Sequence, residues 1–307
     1  MKPRVIVIVG PTASGKTSLS IELAKKLNGE IISADSMQIY RKMTIGTAKP
    51  TKEEMQGIPH HMIDIVEPNE DFNVAMYRKM AEEKIEEILS KNKTPIIVGG
   101  TGLYIDTLVN GIEFQDIEND LEYRMKLEQQ TQINGVDWLF EELRKVDPDA
   151  AKVIEKNNIR RVIRALEIYK VTGKTKTEID KESIKGSKYD YIIFGLLWNR
   201  EELYNRINLR VDIMIKDGLI EEVKSLIEKE GFSKTALQGL GYKEVVDYLE
   251  EKISYEDMIE KIKMETRRYA KRQMTWFKRN KAIVWLDAKD KEKMFSEVLR
   301  RINEYES

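Results

Sequence analysis

Apolar positions in this chain follow two different periods. Short β-branched runs occupy residues 5–9, 30–34, 95–98, 191–197 and 282–286, and each reads as a strand buried on both faces. Between and after them the spacing becomes helical. Leu19, Leu23 and Leu27 recur along residues 18–27, and Met76, Met80, Ile85, Ile88 and Leu89 fall on or near one face of residues 72–91. Helices are also expected over residues 201–216, 220–230, 243–250 and 255–280. Strands alternating with helices predict an α/β fold built on a parallel sheet flanked by helices.

The pattern changes between residues 114 and 188, which are charged, helical in period and without a convincing strand. Asp147-Pro148 and Gly173 read as helix boundaries inside it. Because strand-type sequence resumes at Tyr191, the expected organisation is a core made of residues 1–113 and 189–307, interrupted by an all-helical insertion domain at 114–188. No internal repeat or low-complexity stretch is visible.

Composition narrows the classes. The 307 residues, 41% of them hydrophobic, are enough for a folded core plus an insertion. There is no cysteine, which removes disulfides, zinc-thiolate sites and a thiol nucleophile. No early stretch resembles a signal peptide, and no segment approaches membrane-spanning length. The expectation is a cytoplasmic protein with no membrane contact and no obligate protein partner. A net charge of −1 is neutral as to partners, but the charge is unevenly spread.

The first run of apolar residues feeds directly into Gly10, Pro11, Thr12, Ala13, Ser14, Gly15, Lys16 and Thr17. This G-x-x-x-x-G-K-[ST] pattern has physical meaning when a buried strand precedes it and a helix follows, and both are predicted here. Inward-turned backbone N–H groups, the positive end of the helix and Lys16 together favour a polyphosphate or diphosphate. Thr17 offers a hydroxyl for Mg²⁺, a hard cation content with few protein oxygens beside phosphate. The fold expected is therefore of the P-loop NTPase type.

Ligands of open parallel sheets bind beyond the carboxyl ends of the strands. Asp35 follows the second run, and Gly99-Gly-Thr-Gly102 follows residues 95–98, so Asp35 and Thr101 are expected at that edge. Two roles compete for Asp35: holding Mg²⁺ through water, or taking a proton from an attacking nucleophile. His60 and His61 lack a metal-ligand spacing and read as structural. From Lys261 to Lys281 nine lysines and arginines, Arg268 and Arg272 among them, face only Glu265, with Tyr269, Trp276 and Phe277 interleaved. Such a helix could follow a nucleic-acid backbone and offer stacking surface, or simply pack its aromatics inward. Arg160, Arg161 and Arg164 form a second basic cluster, and Arg206 and Arg210 an i, i+4 pair. A hydrolase would normally end an inner strand in an acidic residue, and residues 95–100 end in Gly-Gly instead. A small-molecule kinase remains compatible with these features.

Taken in order along the chain, several motifs resemble the bacterial tRNA dimethylallyltransferases, or tRNA isopentenyltransferases. They are residues 10–17, Asp35-Ser-Met-Gln-Ile-Tyr-Arg41, Gly46-Thr-Ala-Lys-Pro50, Pro59-His-His-Met-Ile-Asp64, Gly99-Gly-Thr-Gly-Leu-Tyr104, Arg161-Val-Ile-Arg-Ala-Leu-Glu167, Gly239-Leu-Gly-Tyr242 and Arg267-Arg-Tyr-Ala-Lys-Arg-Gln273. The resemblance implies transfer of a dimethylallyl group from dimethylallyl diphosphate to the exocyclic amine of the adenosine 3′ to the anticodon in tRNA. The phosphate loop would then hold the diphosphate leaving group with Mg²⁺, and Asp35 would accept the amine proton. By the same resemblance Thr101, Lys16 and Arg210 serve the reacting centre. Ser36, Met37, Gln38, Arg124, Arg160, Arg161, Val162, Ile163 and Arg164 would lie against the tRNA anticodon stem-loop. At Met37 other members often carry a different apolar residue. Eukaryotic relatives add a zinc finger, which a chain without cysteine cannot form. A stacked anticodon-loop base must be flipped out to be reached, and the insertion with the basic helices would clamp the stem. The alternatives are a P-loop kinase, an adenylate isopentenyltransferase acting on a free nucleotide, and a non-catalytic RNA-binding module.

Overall fold

The structure, a computed structural model, describes residues 2–115 and 117–304. Six strands form one parallel sheet among the described residues: β1 (Arg4–Val9), β2 (Gly29–Ser33), β3 (His60–His61), β4 (Thr94–Gly99), β5 (Asp190–Leu197) and β6 (Val284–Asp287). Their order across the sheet is β3-β2-β4-β1-β5-β6, and every pairing is parallel. The helices are α1 (Lys16–Lys26), α2 (Lys52–Met55), α3 (Val74–Ser90), α4 (Gly102–Val109), α5 (Leu121–Val146, broken by a kink at Gly135), α6 (Pro148–Val153) and α7 (Ile159–Thr172). The remainder are α8 (Lys176–Ser183), α9 (Arg200–Lys216), α10 (Leu219–Lys229), α11 (Tyr242–Leu249), α12 (Tyr255–Phe277) and α13 (Lys291–Glu304).

The chain divides into two compact units, Met1–Val109 with Ser187–Ser307, and Asn110–Gly186. In the first unit the strands are apolar on both sides, as alternating side chains on a doubly covered sheet must be. Val5, Val7, Val9, Ile32, Ile97 and Ile193 pack with Ile85, Tyr104, Val223, Val245, Ile262 and Phe277 from the helices on one face. Ile6, Ile8, Ile31, Ile96 and Phe194 meet Leu19 and Leu23 of α1 and Val298 and Ile302 of α13 on the other. Strand β3 has no apolar alternation. It consists of the two histidines: His61 bonds the buried Glu30 at 2.7 Å, and His60 bonds the Ile58 carbonyl.

The second unit is helical. Leu127, Leu139, Leu143, Ala150, Val162, Ile163 and Leu166 form its core. Asp147 caps α6 through the Ala150 N–H and also receives the Thr177 N–H and hydroxyl, so one buried carboxylate joins α6 to α8. Gly173, with φ 72°, ends α7 in the left-handed conformation usual after a helix.

Candidate active site

The site is built at the carboxyl ends of β1, β2 and β4. Helix α1 begins at Gly15, whose φ of 92° is easily reached only without a side chain, and no side chain caps the helix. Its first N–H groups are therefore left for an external acceptor. Ser14 Oγ is buried in the loop with no hydrogen-bond partner among the described residues, a polar atom left unsatisfied beside the hollow. Lys16 Nζ bonds the loop's own Pro11 carbonyl at 2.7 Å. Burial, with the nearby Arg210 charge second and Asp35 opposing, lowers the Lys16 ammonium to about 7. An anion would reverse that shift by restoring a counter-charge. Thr17 lies exposed on the first turn of α1.

The loop is held from outside by residues far away in sequence. Arg206 Nε donates to the Ala13 carbonyl at 2.8 Å while its guanidinium stacks over Trp198, whose indole N–H donates to the Ser14 carbonyl. Buried Gln273 on α12 accepts from the Thr12 N–H and donates to the Gly100 carbonyl, both at 2.9 Å. One amide thus ties the phosphate loop to the turn after β4. A Cβ at Gly100 would sit 2.0 Å from Gln273 Nε2, which explains why that turn is glycine. Gln273 lies inside a motif legible in the sequence, but its role as a latch was not.

Asp35 follows β2. Its Oδ1 accepts from the Met37 N–H at 2.9 Å and from the Gln38 N–H at 3.3 Å, which fixes the carboxylate in a turn. No described residue donates to Oδ2. Thr101 Oγ1 accepts from the Ser36 N–H at 3.0 Å, and the Thr101 N–H donates to the Ala34 carbonyl, so the tips of β2 and β4 are stitched together. Gln38, expected at an RNA surface, has a fully engaged side chain. Its amide donates to the Thr47 and Ala48 carbonyls, and its oxygen accepts from Ser33 Oγ.

Two hollows open here. One is lined by Ala13 to Ser18 of the phosphate loop with Glu22, Glu54 and Arg210. The other, a cavity of about 440 Å³, has Asp35, Thr12, Tyr269 and Arg272 among its polar residues and Met37, Met214, Leu240 and Ile262 among its apolar ones. Arg210 lines both and makes no hydrogen bond or ion pair with any described residue. Burial, then repulsion from Arg206, lowers its pKa, and the nearby Glu54 and Asp35 carboxylates offset this only in part. Burial and the Asp35 charge push the Tyr269 phenol up, which keeps it a hydrogen-bond donor.

The other expected RNA-facing residues are arranged differently. Arg124 grips the buried Glu167 with two hydrogen bonds of 2.7 and 2.8 Å, and Arg164 adds a third. Burial alone would raise the Glu167 carboxyl; the Arg124 and Arg164 bonds outweigh it and hold the pKa below its usual value. Val162 and Ile163 are core side chains and present no surface. Arg160 and Arg161 are exposed in the first turn of α7, which has no acidic residue to match the helix's positive end. Arg268, Lys271, Arg272 and Trp276 lie along one exposed face of α12, with Arg279 in the turn just past its end. There Arg279 stacks over Trp276, and the Trp276 indole is pinned by a 2.8 Å bond to Asp106.

Among known proteins, residues 38–280 match the family described as IPP transferase. The chain belongs to this family. The chain is 53% identical to the tRNA dimethylallyltransferase of Caldanaerobacter subterraneus subsp. tengcongensis, over 99% of this chain and 98% of that one. It is 50% identical to the Bacillus cereus enzyme of the same name, over 98% and 95%. The solved full-length tRNA isopentenylpyrophosphate transferase of Bacillus halodurans shares 45% identity and a TM-score of 0.75, over 98% of this chain and 96% of that one. A eukaryotic dimethylallyltransferase acting on tRNA gives a TM-score of 0.81 at 36% identity, over 98% of this chain and 77% of the eukaryotic one.

Proposed function

We propose that this chain transfers a dimethylallyl group from dimethylallyl diphosphate to the exocyclic amine of the adenosine 3′ to the anticodon in tRNA, releasing diphosphate. The observation that carries the reading is Arg210, a partly buried cation with no hydrogen bond or close ion pair among the described residues, which lines both the phosphate-loop hollow and the Asp35 cavity. A diphosphate in the first hollow places its departing oxygen toward that guanidinium. The apolar residues of the second suit the isoprenoid and a purine, within the usual size of small-molecule sites.

Charge develops on the diphosphate as the allylic carbon–oxygen bond breaks. The loop N–H groups, Ser14, Lys16 and Arg210 are aimed at that charge. The adenine amine attacks the allylic carbon, and the proton it sheds passes to Asp35 Oδ2, the oxygen not used in the turn. Thr17 suits Mg²⁺ carried mainly on substrate phosphates, since the described residues hold no cluster of three or more metal-ligating side chains. Bound there, the ion would neutralise diphosphate charge. Arg160 and Arg161, and the Arg268 to Arg272 face of α12 with Arg279 beyond its end, are the proposed phosphate-backbone contacts. No described helix is long and apolar enough to cross a membrane.

The test is incubation with labelled dimethylallyl diphosphate and, separately, total tRNA, AMP, or a panel of small acceptors. Label on tRNA alone is expected. Label on AMP would point to a nucleotide prenyltransferase, and no label on any acceptor would overturn the proposal.

A further inference from the structure

The segment Thr44 to Ala48 forms one wall of the Asp35 cavity through Gly46, Thr47 and Ala48. The segment is turned on itself by the Thr47 hydroxyl, which donates to the Met43 carbonyl, and by the Ala48 and Lys49 N–H groups, which donate to the Ile45 and Thr44 carbonyls; the N–H groups of Thr44, Ile45 and Gly46 are met from α10. Both oxygens of Glu222 point into its backbone: Oε2 accepts from the Thr44 and Ile45 N–H groups at 2.9 and 2.7 Å, and Oε1 from the Gly46 N–H at 3.2 Å. Three consecutive N–H groups turned onto one anion form a nest, here filled from within the protein. A fourth donor, the buried Tyr242 hydroxyl, reaches Oε1 at 2.6 Å. The Tyr242 ring packs so closely that a Cβ at Gly46 would lie 2.5 Å from it.

We propose that Glu222 is a positioning residue for the prenyl-transfer reaction, acting through this strap; the inference rests on the function proposed above. The connection is continuous. With the strap clamped, the Thr47 and Ala48 carbonyls are fixed as the two acceptors of Gln38 Nε2. Gln38 in turn gives its backbone N–H to Asp35 Oδ1. The Glu222 carboxylate thereby sets both the cavity wall and the aim of the proposed base. Its four partners are all donors, so an amide in its place turns an N–H₂ toward at least one N–H or O–H and opens the clamp.

The experiment uses the full chain with Glu222→Gln, Gln38→Ala and the double variant, plus Tyr242→Phe as a milder change that removes one donor and leaves the three strap N–H groups. Three readouts are taken: amide hydrogen exchange at residues 44–46, inorganic pyrophosphate affinity, and kcat and KM for prenyl transfer to tRNA. In Glu222→Gln, exchange at 44–46 should quicken, pyrophosphate affinity should hold, and kcat should fall by between about ten- and a hundredfold, the scale of a misplaced reacting group. Tyr242→Phe should move the same readouts in the same direction by less. The double variant should lose little more than the worse single, because the two residues act in series. Pyrophosphate affinity falling in step with kcat in both Glu222→Gln and Tyr242→Phe would mark a general loosening of the fold and would overturn the inference. Unchanged exchange at 44–46, unchanged kcat, or additive losses would each overturn the inference while wild-type transfer stands. Absence of transfer by the wild-type chain would overturn the functional reading, and this inference with it.

Discussion

At the scale of single residues, the chemistry depends on charges left short of partners. Lys16 is the clearest case, because burial and Arg210 bring its ammonium to about 7. Below that pH the side chain is charged and ready for a diphosphate; above it, binding must first take up a proton. Wild-type affinity for inorganic pyrophosphate should therefore weaken relative to Lys16→Arg as pH rises from about 7 to about 9, by up to about tenfold per unit. Arginine stays charged throughout, so the ratio removes the titration of pyrophosphate itself. Parallel pH profiles would mean that Lys16 keeps its proton without the ligand. Arg124 and Arg164 show the opposite condition. Their charges are spent on Glu167, and losing either would leave a buried carboxylate underpaired.

At the scale of elements, the β-branched runs made five of the six strands visible, since a doubly covered strand can hardly be anything but apolar. Strand β3 was hidden because two histidines carry no such signature; they pair beside Ile31 and Ile32 through their backbones. Val162 and Ile163 were legible in principle, since helical spacing places Val162 and Ile163 with Leu166 on the inner stripe of α7. The phosphate loop, Asp35 and Thr101 could be located from local pattern alone. What holds them could not, because Gln273 acts 261 positions from Thr12, and no local pattern encodes that distance. Gln273→Ala should leave the Thr12 N–H and Gly100 carbonyl unpaired and cost about 1–3 kcal/mol of stability. It should also weaken pyrophosphate binding, measured by calorimetry. Unchanged binding would mean the loop keeps its shape without the latch.

At the scale of the whole molecule, a net charge of −1 conceals basic surfaces on both compact units, at the start of α7 and along α12. Affinity for tRNA should fall steeply with added salt as phosphate contacts release counterions. Replacing Arg160 and Arg161 by alanine should lower the log–log salt slope by about 1.5; an unchanged slope would take α7 out of the interface. At the reacting centre, a diphosphate is proposed to leave at the phosphate loop while a carboxylate at the tip of β2 receives the amine's proton. Asp35→Asn tests this most directly, because asparagine keeps the Oδ1 acceptor that holds the turn and removes only the basic oxygen. In single-turnover transfer with both substrates bound, the variant should be slower by about 10²–10⁴-fold while tRNA and pyrophosphate affinities stay near wild type. Transfer within a few-fold of wild type would mean that Asp35 is not the base.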